Sequence, residues 1–211
     1  MSLLEALNWR YAARAFSEQR LDDEQIRQLL EATRLSASSY GLQPYRILVI
    51  ASRQEREKLL PYSFGQTKIR DCSHLLVFAA STLPVDQQVD EYIQRLADIR
   101  EQRVDQHQGY ATHMKSALGA MSLDKQHQWA HEQAYIALGT LLTSAALMRI
   151  DSCPMSGIDK LRYDEALGLA DMHLTTSFVC ALGYRHTEDR SAQQAKVRLP
   201  LSSLVAWPLT F

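Results

Sequence analysis

The chain has 211 residues, 46% of them apolar and 22% charged, with a formal net charge of −1. That length and composition suit one large domain, or two small ones, with a buried core; the absence of a long basic block argues against a nucleic-acid partner. The longest apolar stretch, residues 134–148, is shorter than the ~20 residues of a membrane span and is interrupted by Thr140, Thr143 and Ser144, so no membrane partner is expected. Cys72, Cys153 and Cys180 are odd in number, far apart and form no CxxC pair, which suggests neither a disulfide framework nor a zinc ribbon. Met1 is followed by a polar, amphipathic start rather than a basic and then apolar leader, and the chain reads as soluble and cytoplasmic.

Ser2-x-x-Glu5 is a capping-box pattern that predicts a short helix to about Trp9. A basic run follows it, Arg10-Tyr11-Ala12-Ala13-Arg14-Ala15-Phe16. A second basic pair, Lys196 and Arg198, lies near the other end of the chain. If the fold joins them, four cations converge, and arginines bind phosphate oxygens through paired charge-assisted hydrogen bonds. Two separate solvated patches are the alternative.

Asp22 is a plausible N-cap for a second helix carrying Ile26, Leu29, Leu30 and Leu35. Residues 36–45 are a Ser-rich loop with Gly41 and Pro44, read either as turn chemistry or as the lining of a ligand pocket. Residues 46–51 and 75–80 have the apolar runs of buried strands. Between them, Ser52-x-x-Glu55 opens a helix to about Leu60, and residues 61–70 read as irregular.

Residues 85–128 are rich in Gln, Asp, Arg and His, with sparse apolar positions. They read as an exposed helical excursion, either simply solvated or covering a site. Residues 129–150 predict a long helix apolar on most faces, hence buried on nearly all sides, as in the middle of a dimer. His127 and His131 are four apart, but the pattern is not HExxH and no third ligand offers itself, so no metal is assigned. Residues 152–157 read as a Pro/Gly loop, 159–169 as a short helix and 175–184 as the third strong strand. The apolar residues 201–211, with Trp207, are expected to pack on the domain or on a partner subunit. Strands separated by helices point to an α+β or α/β domain around one sheet.

The order of these pieces resembles the FMN-dependent nitroreductase family, the oxygen-insensitive NAD(P)H nitroreductases and their relatives. That family opens with R-x-S-x-R-x-F, here residues 10–16. A serine-rich loop ending in Q-P-W corresponds to Ser36-Ala37-Ser38-Ser39-Tyr40-Gly41-Leu42-Gln43-Pro44-Tyr45, and an N-x-x-K-like segment to Gly65-Gln66-Thr67-Lys68. A P-x-E/G-G loop corresponds to Pro154-Met155-Ser156-Gly157, and K-x-R-L-P to Lys196-Val197-Arg198-Leu199-Pro200. Each motif alone is weak; their order over nearly the whole chain is specific.

The resemblance implies an α+β nitroreductase-like fold: one FMN-binding domain over residues 1–211, with a central mixed sheet flanked by helices and a long buried helix at a homodimer interface. It implies FMN as cofactor, NADH or NADPH as donor, and no metal. Arg10, Lys196 and Arg198 would hold the FMN phosphate, with Tyr11 and Ala12 beside them. Arg14 and Lys68 would lie near the ribityl chain and the pyrimidine edge. Ser38 and Ser39 would reach in from the other subunit, and Gln133 would face the same pocket. Gly65 and Gln66 would flank the ring. Pro154, Met155, Ser156 and Gly157 would form the turn that presents a backbone N–H towards flavin N5.

Three positions depart from the pattern: Ala12 for Ser, Gly65 for Asn, and Ser156 for Glu. The chemistry would be flavin-borne, with no catalytic side chain. The implied function is ping-pong hydride transfer from NAD(P)H to a nitroaromatic, quinone or similar small acceptor. A flavin-binding protein without efficient turnover, or a related FMN reductase acting on dihydropteridines or in reductive dehalogenation, are the alternatives.

Overall fold

A computed structural model describes residues 2–206. Helix α1 (Leu3–Trp9) begins at the expected capping box: the Ser2 hydroxyl accepts from Glu5 N–H and the Glu5 carboxylate from Ser2 N–H. Helix α2 (Asp23–Arg34) is boxed in the same way by Asp22 and Gln25. Strand β1 (Tyr45–Ile50) leads to α3 (Arg53–Lys58), where Ser52 caps Glu55 N–H. The stretch expected to be irregular holds a 3-10 turn, Pro61–Ser63, and one helical turn, α4 (Lys68–Asp71).

Strand β2 (His74–Ser81) precedes the excursion, formed by α5 (Val85–Arg100) and α6 (Gln108–Gly119). The long helix α7 (Leu123–Leu147) starts six residues earlier than the apolar pattern alone indicated, because Ser122 caps its polar first turns. Strand β3 (Asp151–Met155), α8 (Lys160–Leu167), β4 (Leu174–Gly183) and the short α9 (Leu201–Leu204) complete the described chain.

The four strands form one sheet in the order β1-β2-β4-β3, every neighbouring pair antiparallel. This corrects the mixed sheet expected from sequence: the parallel pairing present is the isolated bridge between Ala12 and Ser152. It also corrects the loop expected at 152–157, most of which is the edge strand β3. Pro154 disguised it, since proline lacks a ladder donor and is tolerated chiefly in edge strands.

Strands β2 and β4 are buried on both faces, which is why they read as continuous apolar runs. Leu76, Phe78, Phe178, Cys180 and Leu182 pack under α2 and α7, with the Phe78 and Phe178 rings stacked at 4.7 Å. Leu75, Val77, Val179 and Ala181 pack on the other face against Leu59, Ile69, Tyr163, Ala13 and Phe16.

Two further expectations are revised. The excursion is not merely solvated: Val85, Val89 and Ile93 recur at helical spacing and bury a satellite core with Leu42, Ala111, Met114 and Leu118. Helix α7 is not buried all round within one protomer, since Tyr135, Ile136 and Leu147 stand about half exposed. Residues 201–204 and Ala206 are exposed and Val205 is half-buried, and the rest of the apolar tail, residues 207–211 with Trp207, lies outside the described residues.

Candidate functional site

The basic run 10–16 is held between two segments. Ala12 bridges Ser152 at β3, with Ala13 N–H donating to the Ser152 carbonyl at 3.2 Å. On the other side Phe16 bridges Arg185, Ser17 N–H reaches the Tyr184 carbonyl and His186 N–H the Ala15 carbonyl. The run therefore lies between the edge strand and the segment leaving β4. That segment then folds back over it.

A cleft of about 360 Å³ opens between them. Arg10, Tyr11, Ala12 and Arg14 line one side, and Ser191, Gln194, Lys196 and Arg198 the other. The sequence-predicted convergence of the two basic pairs is thus present. Lys196 Nζ donates to the carbonyls of Leu7 and Arg10, which pins the tail to the end of α1. Arg10 has its guanidinium pK lowered by burial and by the neighbouring Arg198. Lys196 is likewise lowered by burial, then by Arg10 and Arg198. Three like charges thus oppose one another, and the buried Nε of Arg10 has no hydrogen-bond partner among the described residues. An unpaired buried donor and uncompensated charge are both costly, and a compact anion relieves both.

The other expected residues fall into two groups. Burial pushes the Cys153 thiol on β3 up, while Lys68, Arg14 and Arg10 beside it act to lower it, so Lys68 lies with the cationic group. Gln66 Nε2 donates to the Gly157 carbonyl at 2.9 Å, closing the turn that follows Pro154 and Met155; Ser156 and Gly157 are exposed there. Gly65 has φ +71°, a conformation that both glycine and asparagine tolerate, so Gly in place of Asn keeps the backbone while removing a side chain.

The second group is separate. Ser39 N–H donates to Gln133 Oε1 at 2.8 Å, and Gln43 N–H to Ser38 Oγ at 3.1 Å. None of Ser38, Ser39 and Gln133 lines the cationic cleft of this protomer. Their loop carries Tyr40, Gly41 and Gln43 at positive φ, and Tyr40 packs edge-on against Tyr110 and His113 of the excursion. Among the described residues no group of three or more His, Cys, Asp or Glu could hold a metal; His131 is instead 2.6 Å from the Ser177 hydroxyl.

Sequence reasoning passed over Asp151, Arg185 and Asp189. The nearly buried Asp151 accepts from Arg185 Nε at 2.8 Å, and Arg185 lies over the rings of Trp9 at 4.2 Å and Tyr11 at 4.6 Å. Asp189 accepts from the Tyr11 hydroxyl at 2.9 Å. The one available signal was Asp151 directly after the apolar Ile150; Asp189, between Glu188 and Arg190 in a hydrophilic stretch, offered none.

The nitroreductase family profile matches residues 7–184. A Staphylococcus saprophyticus protein named as a candidate NAD(P)H nitroreductase is 34% identical over 221 residues, covering 98% of this chain and 96% of its own. The oxygen-insensitive NAD(P)H nitroreductase of Enterobacter cloacae is 28% identical over 216 residues, covering 97% and 99%. A solved structure from Exiguobacterium sibiricum, in complex with FMN, superposes with TM-score 0.85 at 19% identity, covering 99% of this chain and 98% of that one. The chain belongs to the nitroreductase family of oxidoreductases. Among the described residues, no helix is long and apolar enough to cross a membrane.

Proposed function

We propose that this protein is an FMN-dependent NAD(P)H oxidoreductase, a cytoplasmic homodimer reducing a nitroaromatic, a quinone or a similar small acceptor. The observation that carries the reading is the cleft of converging cations with the buried Arg10 Nε, which has no partner among the described residues. Its donor set fits the phosphate of FMN: arginine forks and a lysine point charge, with no carboxylate among the lining residues.

Bound FMN would supply the two-electron chemistry between NAD(P)H and the acceptor. Arg10, Lys196 and Arg198 hold the phosphate. Arg14 and Lys68 supply positive charge towards the ring, which favours the negative charge that reduction brings. The Gln66–Gly157 link orders the exposed turn beside the ring. Ser38 and Ser39, with Gln133 fixing their loop, serve the opposite subunit's cofactor, consistent with their not lining this protomer's cleft. The helical excursion covers the acceptor site, and residues 1–211 act as one domain.

The test is a visible spectrum of the purified protein after incubation with FMN, followed by anaerobic NADH or NADPH. Bound yellow flavin that bleaches, and then recovers on adding a quinone or nitroaromatic, is the expected result. A protein that stays colourless after FMN overturns the reading. A flavin that stays yellow with both nucleotides overturns the oxidoreductase assignment and leaves a flavin-binding protein.

A further inference from the structure

The anion cleft has to be assembled from two segments lying at opposite ends of the sequence, both positively charged. Something must hold them together against their own repulsion. The hydrogen bonds of Lys196 contribute, but they use one of the repelling cations.

Asp189 is 6% exposed and meets both segments. Its Oδ2 accepts from Arg14 N–H at 2.8 Å, from the Tyr11 hydroxyl at 2.9 Å and from Ala15 N–H at 3.2 Å. Its Oδ1 accepts from Ser191 N–H at 3.0 Å. All three residues of the first set belong to the basic run, two of them to the cleft lining; Ser191 belongs to the lining on the tail side. Asp189 itself is not in the lining, so it does not compete with a phosphate for the cations. Burial pushes its carboxyl up, but the four donors together outweigh this and hold it below its ordinary value, so it is a carboxylate at neutral pH.

We infer that Asp189 is a positioning residue for the phosphate cleft: a buried carboxylate clasp that locks the Tyr11 side chain and the backbone of Arg14 and Ala15 to the turn at 189–192 and thereby sets Arg10 opposite Lys196 and Arg198. The inference rests on the phosphate reading above and names how that site is preorganised. A carboxylate is needed because both oxygens must accept, Oδ2 from three donors of the basic run and Oδ1 from Ser191 N–H; an amide offers an acceptor at one atom only, and an alkyl group at none.

The test compares riboflavin with FMN, which share ring and ribityl chain and differ by the phosphate. Affinities of both for the apoprotein are read from flavin fluorescence. The wild type is expected to prefer FMN by about a hundredfold or more. Asp189→Ala is expected to cut that preference by about tenfold or more while riboflavin affinity stays near wild type. Asp189→Asn, which keeps one oxygen for the three-donor position, should fall between.

If FMN and riboflavin weaken together, Asp189 is merely structural and the inference is overturned; an unchanged preference overturns it as well. Should Asp189→Ala not fold, Asp189→Asn carries the same comparison with the same two outcomes. A wild type that does not prefer FMN over riboflavin sinks the phosphate reading itself, and Arg198→Ala, which removes a cation directly, separates that failure from a failure of the clasp.

Discussion

Lys196 donates its ammonium to the main-chain carbonyl of Arg10 across 186 positions of sequence. The contact joins the first basic residue of the chain to its last basic cluster. It also forces a lysine next to an arginine, an arrangement with a measurable consequence.

Burial lowers the pKa of Lys196, and the charges of Arg10 and Arg198 lower it further. A lysine whose folded value lies below its unfolded value binds fewer protons when folded. The apoprotein therefore gains stability as pH rises through the window between the two, whose upper edge is the ordinary lysine value of about 10.4. A bound phosphate favours the ammonium, so FMN affinity falls over the same window. Isothermal titration from pH 7 to 10.5 should show proton uptake on binding. In Lys196→Met both trends disappear; if they persist, another group is responsible.

Much of this was legible in the sequence, and what was missed has identifiable causes. Helices α1 and α2 were readable from their caps, because a capping box is a local hydrogen-bonding instruction. Strands β2 and β4 were readable because both faces are buried and the run is unbroken. Strand β3 was not, because an edge strand tolerates the proline that signals a loop. The cations were legible because their chemistry is unusual at that density. Asp189 was not, because its role depends on donors from residues 11–15, and a single sequence does not show which distant backbone N–H groups a carboxylate will meet.

Gly183 ends β4 where the chain passes beneath the basic run. A Cβ there would stand 2.9 Å from Phe16 Cδ1 and 3.1 Å from the backbone nitrogen of Ser73. That nitrogen is fixed, since it donates to the Leu182 carbonyl at 2.8 Å. Phe16 would have to move, and it closes the run that bears Arg10 and Arg14. Gly183→Ala is expected to destabilise by about 1–3 kcal/mol, as overpacking does. Chemical denaturation measures this, and a variant as stable as wild type would contradict the tight approach.

Asp164 on α8 ties that helix to the sheet. It accepts from Thr175 Oγ1 at 2.7 Å, Thr176 N–H at 2.7 Å and Thr176 Oγ1 at 2.6 Å. Thr176 is fully buried. Asp164→Ala leaves its N–H and hydroxyl without these acceptors, at a cost of about 2–4 kcal/mol. Thr175→Ala, which removes one of the three donors and strands nothing buried, should cost about 1 kcal/mol or less. Urea midpoints for the two variants give the comparison, and equal losses would mean that the carboxylate is not the organising group.

Helix α7 buries Ala134, Ala137, Leu138, Leu141 and Ala145 against the sheet, while Ile136 and Leu147 are 48% and 45% exposed and Tyr135, at the flank with its ring 4.4 Å from that of Phe178, is 47% exposed. Helix α1 adds Leu3, Leu4 and Leu7, exposed as well, and packs against α7. Exposed apolar side chains on two helices that pack together are candidates for an association surface. The proposed homodimer would cover them and bring the Ser38–Ser39 loop to the opposite cleft. Ile136→Asp sets a charge on that surface, where an unpaired buried carboxylate costs several kcal/mol. The variant is expected to elute as a folded monomer by light scattering, with unaltered far-UV circular dichroism and sharply weakened FMN binding, because each cleft would lose the serines of the other chain. A variant that remains dimeric would move the interface away from α7, and a monomer that holds FMN as tightly as wild type would remove Ser38 and Ser39 from the site.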